Sequence, residues 1–110
     1  MLGPKLRHRV RIEMLNQTGR DAVGGVITEW VVYADRVPAE VVPLSGREFI
    51  ASGAAQDELS ARMTIRFDAG VKASMRVVFD GAVYDIKAVL PDPTGRRHQT
   101  LMCAAGVNHG

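Results

Sequence analysis

"MRVVFDGAVYDIKAVL", residues 75–90, decides the fold class. Apolar and β-branched residues run up to Asp80-Gly81 and resume beyond it. An Asp-Gly pair supplies the two positive φ angles that a tight two-residue hairpin needs. The stretch therefore reads as two antiparallel strands joined at that turn. Upstream, "DELSARMTIRF" (57–67) alternates, with Leu59, Ala61, Met63, Ile65 and Phe67 pointing one way and Ser60, Arg62, Thr64 and Arg66 the other. A period of two marks a strand with one buried side and one wet side. "DAGVKAS" (68–74) reads as the loop between. Downstream, "PDPTGRR" (91–97) carries turn chemistry, and "HQTLMCAAG" (98–106) gives a last short strand before a polar tail at about 106–110.

The N-terminal half follows the same rhythm. In "LRHRVRIEM" (6–14), Leu6, His8, Val10, Ile12 and Met14 share one face while Arg7, Arg9, Arg11 and Glu13 share the other. "NQTGRDAVGG" (16–25) reads as a loose hairpin loop. "VITEWVVYA" (26–34) is rich in β-branched and aromatic residues and reads as a strong strand. "RVPAEVVP" (36–43) stays extended, but Pro38 and Pro43 cannot donate ladder hydrogen bonds, so it belongs at an edge or carries a bulge. The expected core comprises Val10, Ile12, Trp30, Met63, Ile65, Val78 and Ile86. Trp30, the single tryptophan, is expected to anchor it, at a cost of about 3–5 kcal/mol on replacement by alanine. Some six to seven short strands separated by turn signals predict a mainly β chain, a small antiparallel β-barrel.

One stretch breaks the pattern. "EVVPLSGREFIASG" (40–53) leaves the alternation after Pro43. Ser45 with Glu48 three residues on forms a capping box, in which the serine hydroxyl takes an orphan amide and the glutamate reaches back. Phe49, Ile50 and the alanines then suffice for about two helical turns, which predicts a short helix or loop insertion near residues 45–55. An isolated helix of that size is marginal in water. It must pack against its own barrel or against a neighbouring subunit.

Composition bounds the rest. A chain of 110 residues fits a single domain spanning 1–110. Its hydrophobic share of 46% and charged share of 24% are those of an ordinary globular protein. A net charge of +2 is too small by itself to argue for nucleic acid. The lone Cys103 gives no disulfide framework and no cysteine-based metal site. "MLGPKLRHRV" lacks the apolar region of a signal peptide, and no run approaches membrane-spanning length. The expectation is a protein that stays in the cytoplasm where it is made, with no membrane partner. His8, His98 and His109 lie far apart, and no HExxH or lysine-ended phosphate loop is present. Ser45 lacks a GxSxG context. These readings predict no enzyme, no metal and no cofactor. Arg7, Arg9 and Arg11 form a row spaced about 7 Å apart by strand geometry, suited to phosphate or to a subunit face.

The order of these pieces resembles the head-tail joining proteins (head completion, or stopper, proteins) of long-tailed bacteriophages and prophages. The pieces are Asp21, Gly24, Gly25 and Trp30, then "PLSGREF" (43–49), "MRVVFDGAVYDI" (75–86) and "DPTGRR" (92–97). The resemblance runs from about Leu6 to about Ala105. It implies a small barrel that assembles as a homo-oligomeric ring, sixfold or twelvefold, at the head-tail interface of the virion. Such a ring docks below the portal and adaptor and presents its other side to a tail terminator or tail tube. Packaged DNA lies in the channel without sequence-specific contact. The resemblance implies neither enzymatic activity nor cofactor. Leu44, Ser45, Gly46, Arg47, Glu48 and Phe49 become the candidate gate or interface segment, and Arg7, Arg9 and Arg11 the candidates to face DNA or a subunit. Other readings stay open: an adaptor or tail terminator, although adaptors are mostly helical, or a small nucleic-acid-binding barrel, which needs exposed aromatics on one sheet face. The isolated chain is expected to be a weakly self-associating domain whose far-UV circular dichroism is dominated by strand. A helix-dominated spectrum overturns the fold class.

Overall fold

The computed structural model describes residues 5–44, 59–93, 95 and 97–105. They form six strands: β1 (His8–Arg20), β2 (Val26–Pro43), β3 (Leu59–Arg66), β4 (Arg76–Phe79), β5 (Ala82–Pro91) and β6 (His98–Ala105). All neighbours pair antiparallel, in the order β1-β2-β3-β6-β5-β4, and β1 pairs with β4 to close the barrel. The fold is the small antiparallel β-barrel that the alternation predicts. The insertion expected near 45–55 and the tail at 106–110 lie outside the described residues.

The β4–β5 hairpin turns at Asp80 (φ 52°) and Gly81 (φ 80°), the two left-handed positions that the Asp-Gly pair supplies. β3 buries Ala61, Met63 and Ile65, β6 buries Leu101 and Cys103, and β5 adds Ile86. Val10 and Ile12 come from β1, and Ala39 from β2. Val71 and Met75, from the 67–75 connection, close one end of this core. That connection is latched: the Tyr33 hydroxyl donates to Asp68 Oδ1 at 2.8 Å, and the same oxygen accepts the Gly70 amide at 2.8 Å. A β-carbon at Gly70 would collide with the Tyr33 hydroxyl. The Asp68 carboxylate, as acceptor for the phenol and then through burial and its own charge, pushes the Tyr33 pKa up.

Two expected core residues are not in the core. Within β4 the inward valine is Val77, at 0% exposure, and Val78 faces outward opposite Arg11. Two adjacent valines occupy opposite faces of one strand, so only one can point inside. Trp30 is half-buried on the outer surface, opposite Leu15, with the Arg76 guanidinium over its ring at 4.3 Å. The expected segments 26–34 and 36–43 are one strand, because bulges absorb the irregularity. Across Val10–Glu13 the register with β2 slips twice, and Arg36 takes a left-handed φ of 52°.

The loop expected over 16–25 is also narrower. β1 runs on to Arg20, and only residues 21–25 turn. There Asp21 Oδ1 accepts the Val23 and Gly25 amides at 3.0 and 2.7 Å, and Gly24 sits at φ 88°. β1 pairs with β4 only through Glu13, and β2 pairs with β3 only from Ala39 onward. Met14–Arg20 and Val26–Val32 therefore leave the barrel as a two-stranded arm, and the molecule measures 56 × 28 × 25 Å. Antiparallel pairing puts the arm at the same end as the 67–75 and 92–97 connections. Lys5, the Asp80-Gly81 turn, Leu44, Leu59 and Ala105 lie at the other end.

Cys103 tests closure of the barrel. Burial, and next the nearby Asp85 carboxylate, push its thiol up to about 12. At about pH 8 the native thiol is protonated and enclosed. Ellman's reagent is expected to react with it only after denaturation. Labelling of the native chain at the rate of a free thiol would show a barrel that opens.

Candidate functional site

No group of three or more His, Cys, Asp or Glu side chains that could hold a metal occurs among the described residues. The surfaces with something to offer are two, one at each end of the barrel.

The first is the end where β2 leaves for the 45–58 segment. The feet of that segment are held by adjacent strands: Pro43 pairs with Ala61, and the Leu44 amide donates to the Ser60 carbonyl at 3.0 Å. Ser60 Oγ in turn accepts the Ala105 amide at 2.7 Å, tying in the end of β6. Leu44 is half-buried, whereas Ser45, Gly46, Arg47, Glu48 and Phe49 lie outside the described residues. Beside these feet an open cleft is lined by Lys5, Arg7, His8, Glu40, Val41 and Val42. The Lys5 amide donates to Glu40 Oε2 at 3.3 Å. His8 is exposed and meets the Phe79 ring edge-on, with centroids 5.1 Å apart.

The structure divides the arginine row. Arg7 and Arg9 are exposed at this end, and Arg9 Nη1 donates to the His8 carbonyl at 3.3 Å. Arg11 is already engaged, its Nε donating to Glu13 Oε2 at 2.9 Å. A charge neutralised at that distance is a poor phosphate ligand, so the row offers two free cations rather than three.

The second surface starts at Glu13. This carboxylate is only 7% exposed, yet it accepts Arg11 on one oxygen and Arg76 Nε on the other, at 2.7 Å. Arg76 is itself nearly covered, and its guanidinium carbon sits 4.3 Å from the centre of the Trp30 ring, a cation–π contact. Beyond this group the arm's outer face continues with Leu15, Val26 and Val32, each slightly more than half exposed. Trp30 and Leu15 are direct cross-strand partners, as are Glu13 and Val32. The sequence reading missed this surface because it took residues 16–20 for a loop and Trp30 for core. The signal was present as apolar residues on both faces of 26–33, one face more than a barrel wall can bury.

Comparison with known proteins fits this architecture. A model of the family described as "Phage head completion protein" matches residues 1–106. This chain belongs to the phage head completion protein family. It is 36% identical over 109 residues to "Head completion protein gp7" of Enterobacteria phage HK97, which covers 94% of this chain and 95% of that protein. The solution structure of protein SF1141 from Shigella flexneri 2a matches 99% of this chain and 100% of its own, with a TM-score of 0.83 and 30% identity. A chain of the virion of a native gene transfer agent particle shares the fold at a TM-score of 0.56. That match is 16% identical and covers 86% of this chain and 90% of the other.

Within this family member, the Glu13 cluster and the arm are separable by mutation. Glu13→Gln leaves Arg76 covered without a counter-charge and is expected to cost about 3 kcal/mol in urea unfolding. Trp30→Ala removes a half-buried ring on the outer surface and its cation–π contact, at about 1–2 kcal/mol and without loss of solubility. A loss of about 4 kcal/mol or more for Trp30→Ala would return the ring to the core.

Proposed function

We propose that this chain is the ring-forming head-closure protein of a phage head-tail connector. In this reading the ring docks below the portal and adaptor, retains packaged DNA and offers the tail its attachment surface. The observation that carries the reading is the match to the HK97 head completion protein along nearly the whole of both chains. The two-ended shape suits a connector, since one end carries the feet of the 45–58 segment and the other carries the arm. Arg7 and Arg9 stand exposed on the segment's end, where backbone phosphates of DNA in a channel would meet cations without any reading of sequence. The 45–58 segment acts as the gate or subunit contact. Its feet are fixed to adjacent strands of the barrel, Pro43 beside Ala61 and the Leu44 amide on the Ser60 carbonyl. The role is structural, with no catalysis and no cofactor, and assembly takes place in the host cytoplasm.

Arg47 is the cleanest probe of the segment. Glu48 doubles as a capping-box partner, whose loss costs a helix about 1 kcal/mol, whereas Arg47 has no such local duty. Arg47→Glu is expected to leave the melting temperature of the purified chain nearly unchanged. Supplied to a phage that lacks the gene, it is expected to give particles that package DNA but leak it or fail to join tails. The measurement is a count of DNA-filled and tailed particles by electron microscopy. Normal infectious yield removes the gate-or-interface reading.

A further inference from the structure

Beyond the closing seam the arm keeps one ladder to the barrel, and that ladder is interrupted at the arm's base. Among the described residues, Met14–Arg20 and Val26–Val31 pair only with each other. Where β1 and β2 run onto the barrel wall, their register slips twice between Val10 and Glu13. β2 carries the extra residues: Val37 to Ala34 is three steps against two on β1, and Ala34 to Val32 is two against one. Arg36, inside that stretch, takes a left-handed φ of 52°. Each bulge leaves a residue unpaired and breaks the run of ladder bonds. A ribbon joined through such a stretch takes its angle from side-chain contacts.

Two contacts supply it, and they differ in kind. Tyr33 is the residue that the ladder leaves out between Val32 and Ala34. Its ring packs against the core, and its hydroxyl donates to Asp68 Oδ1 at 2.8 Å. Asp68 is itself held from β6: Gln99, only 2% exposed, accepts the Asp68 amide at 3.1 Å and donates to the Asp68 carbonyl at 3.2 Å. This contact is built into the barrel.

The other lies on the outer surface, three residues nearer the tip. Arg76 and Trp30 belong to strands on either side of β1, so the guanidinium crosses β1 to reach the ring, 4.3 Å from its centre. Glu13 holds Arg76 Nε at 2.7 Å and so fixes the cation to the seam. Arg76 Nη1, however, is covered and has no hydrogen-bond partner. A covered, unpaired donor costs about as much as a cation–π contact contributes. Lifting the ring uncovers that face of the guanidinium to water, so the closed and open arrangements lie close in energy. Because Glu13 keeps the cation in place, Trp30 is the half that moves.

We propose that Tyr33 is a pivot and the Trp30–Arg76 contact a latch: closed, it holds the arm at its angle to the barrel, and open, it lets the arm swing about the bulged stretch Val32–Val37. Val26 stands about 20 Å beyond Val32, so a small tilt at the base becomes a shift of several ångströms at the tip. The latch belongs to the single chain and does not depend on ring assembly.

The experiment reads the arm's position by distance in the full-length protein. Val23→Cys at the tip and Lys87→Cys on β5, both exposed positions, take spin labels. Cys103, enclosed and with its thiol pushed up to about 12, stays unlabelled. Pulsed electron spin resonance is expected to give one narrow distance with the latch intact. Trp30→Leu breaks the latch from the arm side. Arg76→Met breaks it from the barrel side, where Glu13 keeps Arg11 as its partner. Either change is expected to broaden the distribution by several ångströms. Both remove the same contact, so the double variant is expected to be no broader than either single one. In Arg76→Met the indole, the chain's single tryptophan, is expected to be quenched faster by acrylamide. Without the labelling cysteines, each variant is expected to keep Cys103 unreactive toward Ellman's reagent until denatured, which separates a freed arm from an opened barrel. A distribution that is already broad with the latch intact, or that stays narrow in both variants, overturns the latch. So does a double variant broader than either single one. A variant whose native Cys103 reacts also counts against it, because the contact then holds the barrel shut rather than the arm in place.

Discussion

The barrel closes on three residue pairs. β1 meets β4 at Arg11–Val78, Ile12–Val77 and Glu13–Arg76, and nowhere else. Ile12 and Val77 face inward and are almost fully enclosed, while Glu13 and Arg76 lock the same seam from outside at 2.7 Å. Without this seam the sheet would expose two raw edges and half its core. The ion pair is nearly covered on both sides, so it serves registry more than net stability. A one-residue slip would bury a charge opposite a valine and turn Ile12 to water.

The brevity of the seam has a second effect. β4 has only four residues, set by the Asp80-Gly81 turn at one end and the Val71–Met75 plug at the other. β1 has thirteen and runs past it. Everything after Glu13 can pair only with β2, which is why an arm exists at all. The strain of wrapping β2 around the closed end is taken up by the register slips near Ala34 and by Arg36 in its left-handed conformation. Bulges of this kind increase local twist and let a long strand bend. β2 thus serves as barrel wall at one end and as ribbon at the other.

Alternation and turn chemistry were enough to read β3, β6 and the β4–β5 hairpin, because each has one apolar face and a strong terminator. They were not enough for the arm. Residues 26–33 are apolar on both faces, and period two says which side chains share a face without saying which face is inside. Size then favoured Trp30 as core, yet an indole flanked by a cross-strand Leu15 and capped by Arg76 is satisfied on the outside. The same ambiguity in Val77-Val78 is settled only by the partner strand, since Ile12 faces the one and Arg11 the other. The Glu13–Arg76 pair spans 63 positions of sequence, and no local pattern announces it. The capping box expected at Ser45–Glu48 lies outside the described residues.

Pro43 and Ala61 are cross-strand neighbours, and the Leu44 amide binds Ser60. The feet of the 45–58 segment are thus held one strand spacing apart, about 4.8 Å, whatever lies between them. Loop closure then costs only about 0.6 kcal/mol more for each doubling of length. Insertions, deletions and wholesale replacement at this site are thermodynamically cheap, while a single shift within Arg11–Glu13 is not. Evolution can therefore rewrite one end of the molecule at its own rate while the seam stays under strict constraint. Divergence among relatives is expected to concentrate in that segment's length and composition, with the barrel passing through unchanged.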